Sequence, residues 1–256
     1  MENLKEHLDD LVKKYETEEF ISHDPIQFIH RFSKKQDAEI SGLVASSLAY
    51  GNRKHIIAIV NKIHELMEYE PYEFCKKYTV EKGEKIFDGV NYRYTSSQDL
   101  VAFFHCLSES LKKYDCFEDM FVKYYQKDDK NIKNALIGFS GEIKSFCPQM
   151  RGLNFLLPSP VNNSACKRLN LFLKWMVRKP PVDLGLWTSV DPAKLIIPLD
   201  THVARISQVL GICSRKSNDW QKAEMITDIL KECDPSDPAK YDFALFGFGI
   251  ENRNVK

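Results

Sequence analysis

Apolar residues recur along the chain at intervals of three and four, the period of a helix with one buried face. Leu4, Leu8, Leu11, Val12 and Tyr15 predict an amphipathic opening helix, and Ile40, Leu43, Val44, Ser47 and Leu48 predict a second. After a break at Gly51-Asn52, Ile56, Ile57, Val60 and Ile63 predict a third. The same spacing runs through residues 100–111, 117–125, 132–146, 169–177, 203–210, 220–230 and 241–246. Alternating apolar strands bounded by turn residues are almost absent, so the expected fold is all-α. None of the prolines begins a Gly/Ser-rich linker and no segment repeats, so residues 1–256 read as a single unit of two helical lobes.

Composition narrows the range of partners. With 43% hydrophobic residues in 256, the chain can bury a substantial core. Its formal net charge is +0, which removes the bulk attraction that often announces a nucleic-acid binder. Any DNA site must therefore be a local basic patch. Seven cysteines lie scattered without a CxxC pair, which predicts reduced thiols in a cytoplasmic compartment, with no metal, iron–sulfur cluster or other cofactor. The opening Met-Glu-Asn-Leu-Lys-Glu-His has neither a basic nor an apolar leader region, and no apolar run approaches bilayer length. Secretion and membrane insertion are not expected.

Two stretches of the C-terminal half carry chemistry. In the first, a polar turn, Pro158-Ser159-Pro160-Val161-Asn162-Asn163-Ser164, feeds a helix starting near Lys167-Arg168, whose free first amides can hold a phosphate. Lys174 and Arg178 follow Lys167 at i+7 and i+11, which predicts a basic stripe over an apolar face formed by Leu169, Phe172, Leu173, Met176 and Val177. The same stripe is also what the solvated face of any buried helix looks like. In the second stretch, Asp200 directly precedes Thr201-His202-Val203, where an N-cap aspartate belongs. A lysine amine can attack a sugar C1′ carbon, and a carboxylate can stabilise the charge that develops there.

Taken together and in this order, the two stretches resemble the helix-hairpin-helix DNA glycosylase superfamily of endonuclease III and the 8-oxoguanine glycosylases. Leu199-Asp200-Thr201-His202-Val203-Ala204-Arg205-Ile206, continued by Leu210-Gly211, is similar to the family's catalytic-aspartate motif. Of the hairpin pattern only Leu157-Pro158 survives, with Ser159, Pro160, Asn162 and Asn163 where glycines are usual. The long interval from Lys167 to Asp200 is closest in layout to the archaeal 8-oxoguanine branch. The resemblance implies two helical lobes flanking a DNA-binding cleft, with Lys167 as nucleophile and Asp200 as its partner. It implies DNA contacts from Arg168, Lys174 and Arg178, and a wedge residue, Asn52, filling the gap left by an extruded base.

At the C-terminus, Asp242 and Phe246 are four residues apart on one predicted helical face. By the same resemblance they would read and stack on an oxidised guanine, and Asp242 as a carboxylate suits guanine's N–H donors. The expected protein is thus a monomeric bifunctional glycosylase/AP lyase acting on double-stranded DNA that contains a damaged base. Two alternatives remain open. One is a monofunctional glycosylase in which Asp200 activates water, and the other is a non-catalytic module that binds damaged DNA.

Overall fold

The computed structural model describes residues 2–252, and within them it is all helical, with isolated β-bridges but no strand. The helices in chain order are α1 Glu2–Tyr15, α2 Glu18–Ile21, α3 Lys35–Ser47, α4 Arg53–Leu66, α5 Pro71–Lys76, α6 Val80–Ile86 and α7 Ser97–Lys113. They continue with α8 Phe117–Val122, α9 Lys133–Ser145, α10 Gly152–Leu156, α11 Lys167–Val177, α12 Thr201–Val209, α13 Trp220–Cys233 and α14 Tyr241–Glu251. No helix among the described residues is long and apolar enough to cross a membrane.

The chain forms two compact units. The first comprises Met1–His23, Asp128–Lys133 and Pro160–Lys256, and the second comprises Asp24–Lys127 and Asn134–Ser159. The first unit is organised around α14, whose residues Tyr241 to Leu245 are all buried. Two glycines let its neighbours come close. A methyl group at Gly247 would stand 2.4 Å from the Tyr15 ring of α1, and one at Gly249 would stand 3.0 Å from Cβ of His202 on α12. Gly247 tolerates no side chain without displacing that ring.

The second unit is centred on α3, buried from Ala38 to Ser47. The sequence assigned it an amphipathic face, yet it is surrounded, and that is why its polar positions are small serines or satisfied groups. Glu39, fully buried, accepts from the Phe117 and Glu118 amides at 2.9 and 3.1 Å and so caps α8. His64 is also fully buried. Its Nδ1 meets the Val60 carbonyl at 2.8 Å, so that nitrogen donates and Nε2 accepts from the Ser41 hydroxyl, also at 2.8 Å.

Candidate active site

The Asp200 motif folds as a helix with both ends defined. Asp200 is extended, and its Oδ1 accepts from the Val203 amide at 2.7 Å, so it caps α12. At the other end Gly211 adopts φ +69°, its amide donates to the Gln208 carbonyl, and the Ile212 amide donates to Ser207. These two bonds are a Schellman ending, and they require the left-handed residue that glycine supplies without strain. Asp200 remains half-buried, and the described residues offer no partner for its second oxygen.

The turn before α11 takes the left-handed conformation at Asn163, one of the positions where glycine is usual, and at Cys166, which was not among them. Asn163 has φ +55° and Cys166 has φ +48°. The loop is tied to the start of α13: the Trp220 amide donates to the Asn163 carbonyl at 3.1 Å, and Asn163 Nδ2 donates to Asp219 at 3.2 Å. Asp219 in turn caps α13 through the Lys222 amide. Lys167 and Arg168 open α11, both half-buried.

The basic stripe expected beyond them is corrected by the structure: Lys174 and Arg178 do not form a surface. The Lys174 side chain is 0% exposed, with Nζ 3.4 Å from Asp183, 3.3 Å from Asp242 and 3.5 Å from the centre of the Phe243 ring. Arg178 is 5% exposed, and its guanidinium pairs with Glu16 at 2.8 Å, with both oxygens of Asp237 at 2.9 Å, and with Asp183. Neither cation is available to a DNA phosphate. α11 is buried on nearly every side from Leu169 onward, so a cation on it has nowhere solvated to go and must carry its counter-ions inside.

Those counter-ions arrive from remote positions. Residues 182–187 fold back on the end of α11, with the Leu184 and Trp187 amides donating to the Trp175 and Met176 carbonyls at 2.9 and 2.8 Å. That return places Asp183 between Lys174 and Arg178. Burial pushes the Asp183 carboxyl up, and it also works against charge on Arg178, where the surrounding carboxylates outweigh it and hold the guanidinium cationic. The direct contact between the two favours the ionised pair.

Asp242 lies on the buried face of α14, 7% exposed. Burial raises its carboxyl to about 6; Lys174 opposes that rise and the charge of Asp200 adds to it. The structure therefore brings Asp200, Asp242 and Lys174 into one electrostatic cluster. Phe246, one turn further on, is half-buried, edge-on to Phe20 at 6.3 Å and to His202 at 5.6 Å. Asn52 belongs to the second unit, where it is exposed and caps α4 through the Lys54 amide at 2.9 Å. It is thus the start of a helix rather than the end of one.

Asp183, Asp237, Glu16 and His202 were not singled out by sequence reasoning. One signal against a solvated stripe was present: Leu171 lies one turn beyond Lys167 and Trp175 one turn beyond that, so apolar residues interrupt the cationic face. No group of three or more His, Cys, Asp or Glu residues is arranged to hold a metal among the described residues.

A family model for a protein of unknown function, DUF2400, matches residues 24–251. The chain belongs to that family. No curated protein and no solved structure matches it. The DUF2400 span contains Asn52, Lys167, Asp200 and the cluster around Lys174 and Asp242, while Glu16 and Phe20 lie outside it.

Proposed function

We propose that this protein is a bifunctional DNA glycosylase and AP lyase that removes an oxidised base, 8-oxoguanine foremost, from double-stranded DNA. The observation that supports this most is Asp200: one oxygen caps α12, the other has no partner among the described residues, and its charge acts on the buried Asp242. A half-buried carboxylate fixed by a helix start is suited to a cationic sugar, because it need not reorganise as charge develops.

The helix-hairpin-helix reading, with its DNA cleft, is part of the same proposal. The base is extruded because its glycosidic bond is inaccessible in the stack. Lys167 Nζ forms a bond to C1′ as the bond to the base breaks, the base leaving with a proton from the amine; the C1′–O4′ bond then opens, a proton passing to O4′, to give the protonated imine, and loss of a C2′ proton expels the 3′-phosphate by β-elimination. Asp200 offsets the positive charge at C1′ and moves protons. With Lys174 and Arg178 internal, phosphate contacts fall to Arg168 and the first amides of α11. Asn52 fills the gap in the stack. Phe246 stacks on the base and Asp242 meets its Watson–Crick edge, with Lys174 tuning that carboxyl's protonation.

Incubation with 8-oxoguanine, uracil, thymine glycol and hypoxanthine duplexes, with and without borohydride, tests this. Wild type is expected to release 8-oxoguanine and form a trapped adduct. Lys167→Gln should abolish trapping while retaining binding, and Asp200→Asn should slow base release by at least about a hundredfold while still capping α12. Absence of base release from every duplex overturns the proposal. A second reading, a monofunctional enzyme in which Asp200 activates water and Lys167 binds phosphate, is favoured by the second Asp200 oxygen, which has no partner among the described residues. Base release without a trapped adduct selects it.

A further inference from the structure

We propose that the second unit carries a stacking platform for an unpaired base of single-stranded DNA, formed by Tyr94 and Phe155 and fringed by arginines. The inference is independent of the reaction proposed above, since neither Lys167 nor Asp200 takes part.

Tyr94 is 74% exposed and Phe155 36%, the two rings meeting edge-on at 5.9 Å. Singly exposed aromatics are ordinary. What distinguishes this pair is how rigidly the backbone beneath it is held. Tyr92 and Thr95 exchange both backbone hydrogen bonds at 2.8 Å, closing a tight turn with Arg93 and Tyr94 at its tip. Tyr50 Oη donates to the Tyr92 carbonyl at 2.8 Å, and Tyr92 Oη returns a bond to the Tyr50 carbonyl at 2.5 Å. Phe155 is buttressed from behind by the Tyr50 ring at 4.8 Å.

The turn also holds backbone strain. Arg93 has φ +51°, a conformation that costs an arginine energy and persists only where surrounding contacts enforce it. Its side chain lies against Gly51, where a methyl group would come within 2.9 Å of Nη1 and where φ is +96°. Its guanidinium is 5.7 Å from the Tyr94 ring. The result is an aromatic face preorganised outward, with little of Tyr94 given to the core.

Charge selects the occupant. Arg93 and Arg151 are exposed, Arg93 with its guanidinium beside the Tyr94 ring and Arg151 one turn before Phe155. Asp99 borders the patch, but its Oδ2 accepts from the Ser96 amide and hydroxyl, and its Oδ1 packs against Gly152. A cationic rim around an aromatic face, on a chain of zero net charge, matches a polyanion that offers flat rings. Duplex bases have both faces covered by their neighbours, so an unpaired base is the ligand that fits.

The test uses the full chain and fluorescence anisotropy with a labelled oligothymidylate, an abasic strand of the same backbone and a blunt duplex, all undamaged. Wild type should bind the oligothymidylate more tightly than the other two. Tyr94→Ala should weaken that binding about tenfold, leave the abasic strand unaffected, and be rescued by Tyr94→Phe. Arg151→Gln should lower the salt slope for the single strand by about 0.7. Tyr94 is largely exposed, so the variant is expected to melt as wild type does, and Phe155→Ser gives an independent check. No binding to oligothymidylate, equal binding to the abasic strand, or an inert Tyr94→Ala overturns the proposal. Tyr94-dependent self-association without strand binding overturns it in favour of a protein contact. Because no lesion and no bond cleavage enter the assay, its outcome stands apart from that of the glycosylase test.

Discussion

In the first unit Lys174 and Arg178 are buried among four carboxylates, Glu16, Asp183, Asp237 and Asp242. In the second unit the deepest polar groups are instead a neutral histidine on a serine, and a glutamate whose oxygens meet backbone amides. Both arrangements satisfy buried polar atoms, the first by pairing side-chain cations with carboxylates inside the core and the second by hydrogen bonds to a hydroxyl and to backbone amides. Asp242 and His64 therefore contribute to stability with opposite dependence on pH. Asp242, raised by burial to about 6, favours the folded state most when protonated; its contribution is complete below the ordinary carboxylate pKa and is lost as pH rises through about 6. His64 is lowered to about 4 by burial, opposed by its bond to Val60 and assisted by the charge of Arg31. Its contribution is complete above the ordinary histidine pKa and is lost as pH falls through about 4.

The most severe way to break the comparison is Arg178→Met. It leaves Glu16 and Asp237 without their buried cation and Asp183 with Lys174 alone, and urea unfolding at neutral pH should show a loss of about 3–5 kcal/mol. A loss under about 1 kcal/mol would mean that the network behaves like a surface ion pair. Asp242→Asn sharpens the sign of the pH effect. The variant should match wild type near pH 4 and exceed it by roughly 2–3 kcal/mol at pH 8, because it removes the cost of ionising a buried carboxyl while Asp183 still pairs Lys174. A gain that is the same at both pH values would show that Asp242 does not titrate between them.

Ser41→Ala is the smallest expected effect and addresses the second unit. It strips His64 Nε2 of its donor and should cost about 1–2 kcal/mol at neutral pH, with the loss growing as His64 protonates, because Nε2 then becomes a buried donor that has lost Ser41 Oγ as its acceptor. Melting curves between pH 4 and 7.5 read both quantities. A cost independent of pH would assign the effect to packing alone.

Lys174 shows where sequence reasoning ended. Its position on a helix was legible, as were the apolar residues on the opposite side of that helix, but the outcome depended on Asp183 and Asp242. The first lies nine residues on and is brought back by a fold-back, and the second is on another helix. Asp200 was read correctly as an N-cap, because capping is a local bond to an amide three residues away. Asn52 was placed at a helix break, and the structure made it a cap for the same local reason. Tyr94 had no sequence signal, since exposure of an aromatic ring is decided by what packs around it.

The sequence by itself determined the helical class, the longer helices, the Asp200 cap and the glycine ending at Gly211. Each of these rests on contacts within about one helical turn, whose geometry follows from residue type and spacing. The tertiary structure alone decided that α3 and α11 are surrounded rather than half-exposed, and that two lysine-like surface positions are a buried ionic core. It also decided that Asp242 senses Asp200. Burial and field are set by groups far apart in the chain, and the free energy of a charge depends on them more than on its neighbours in sequence.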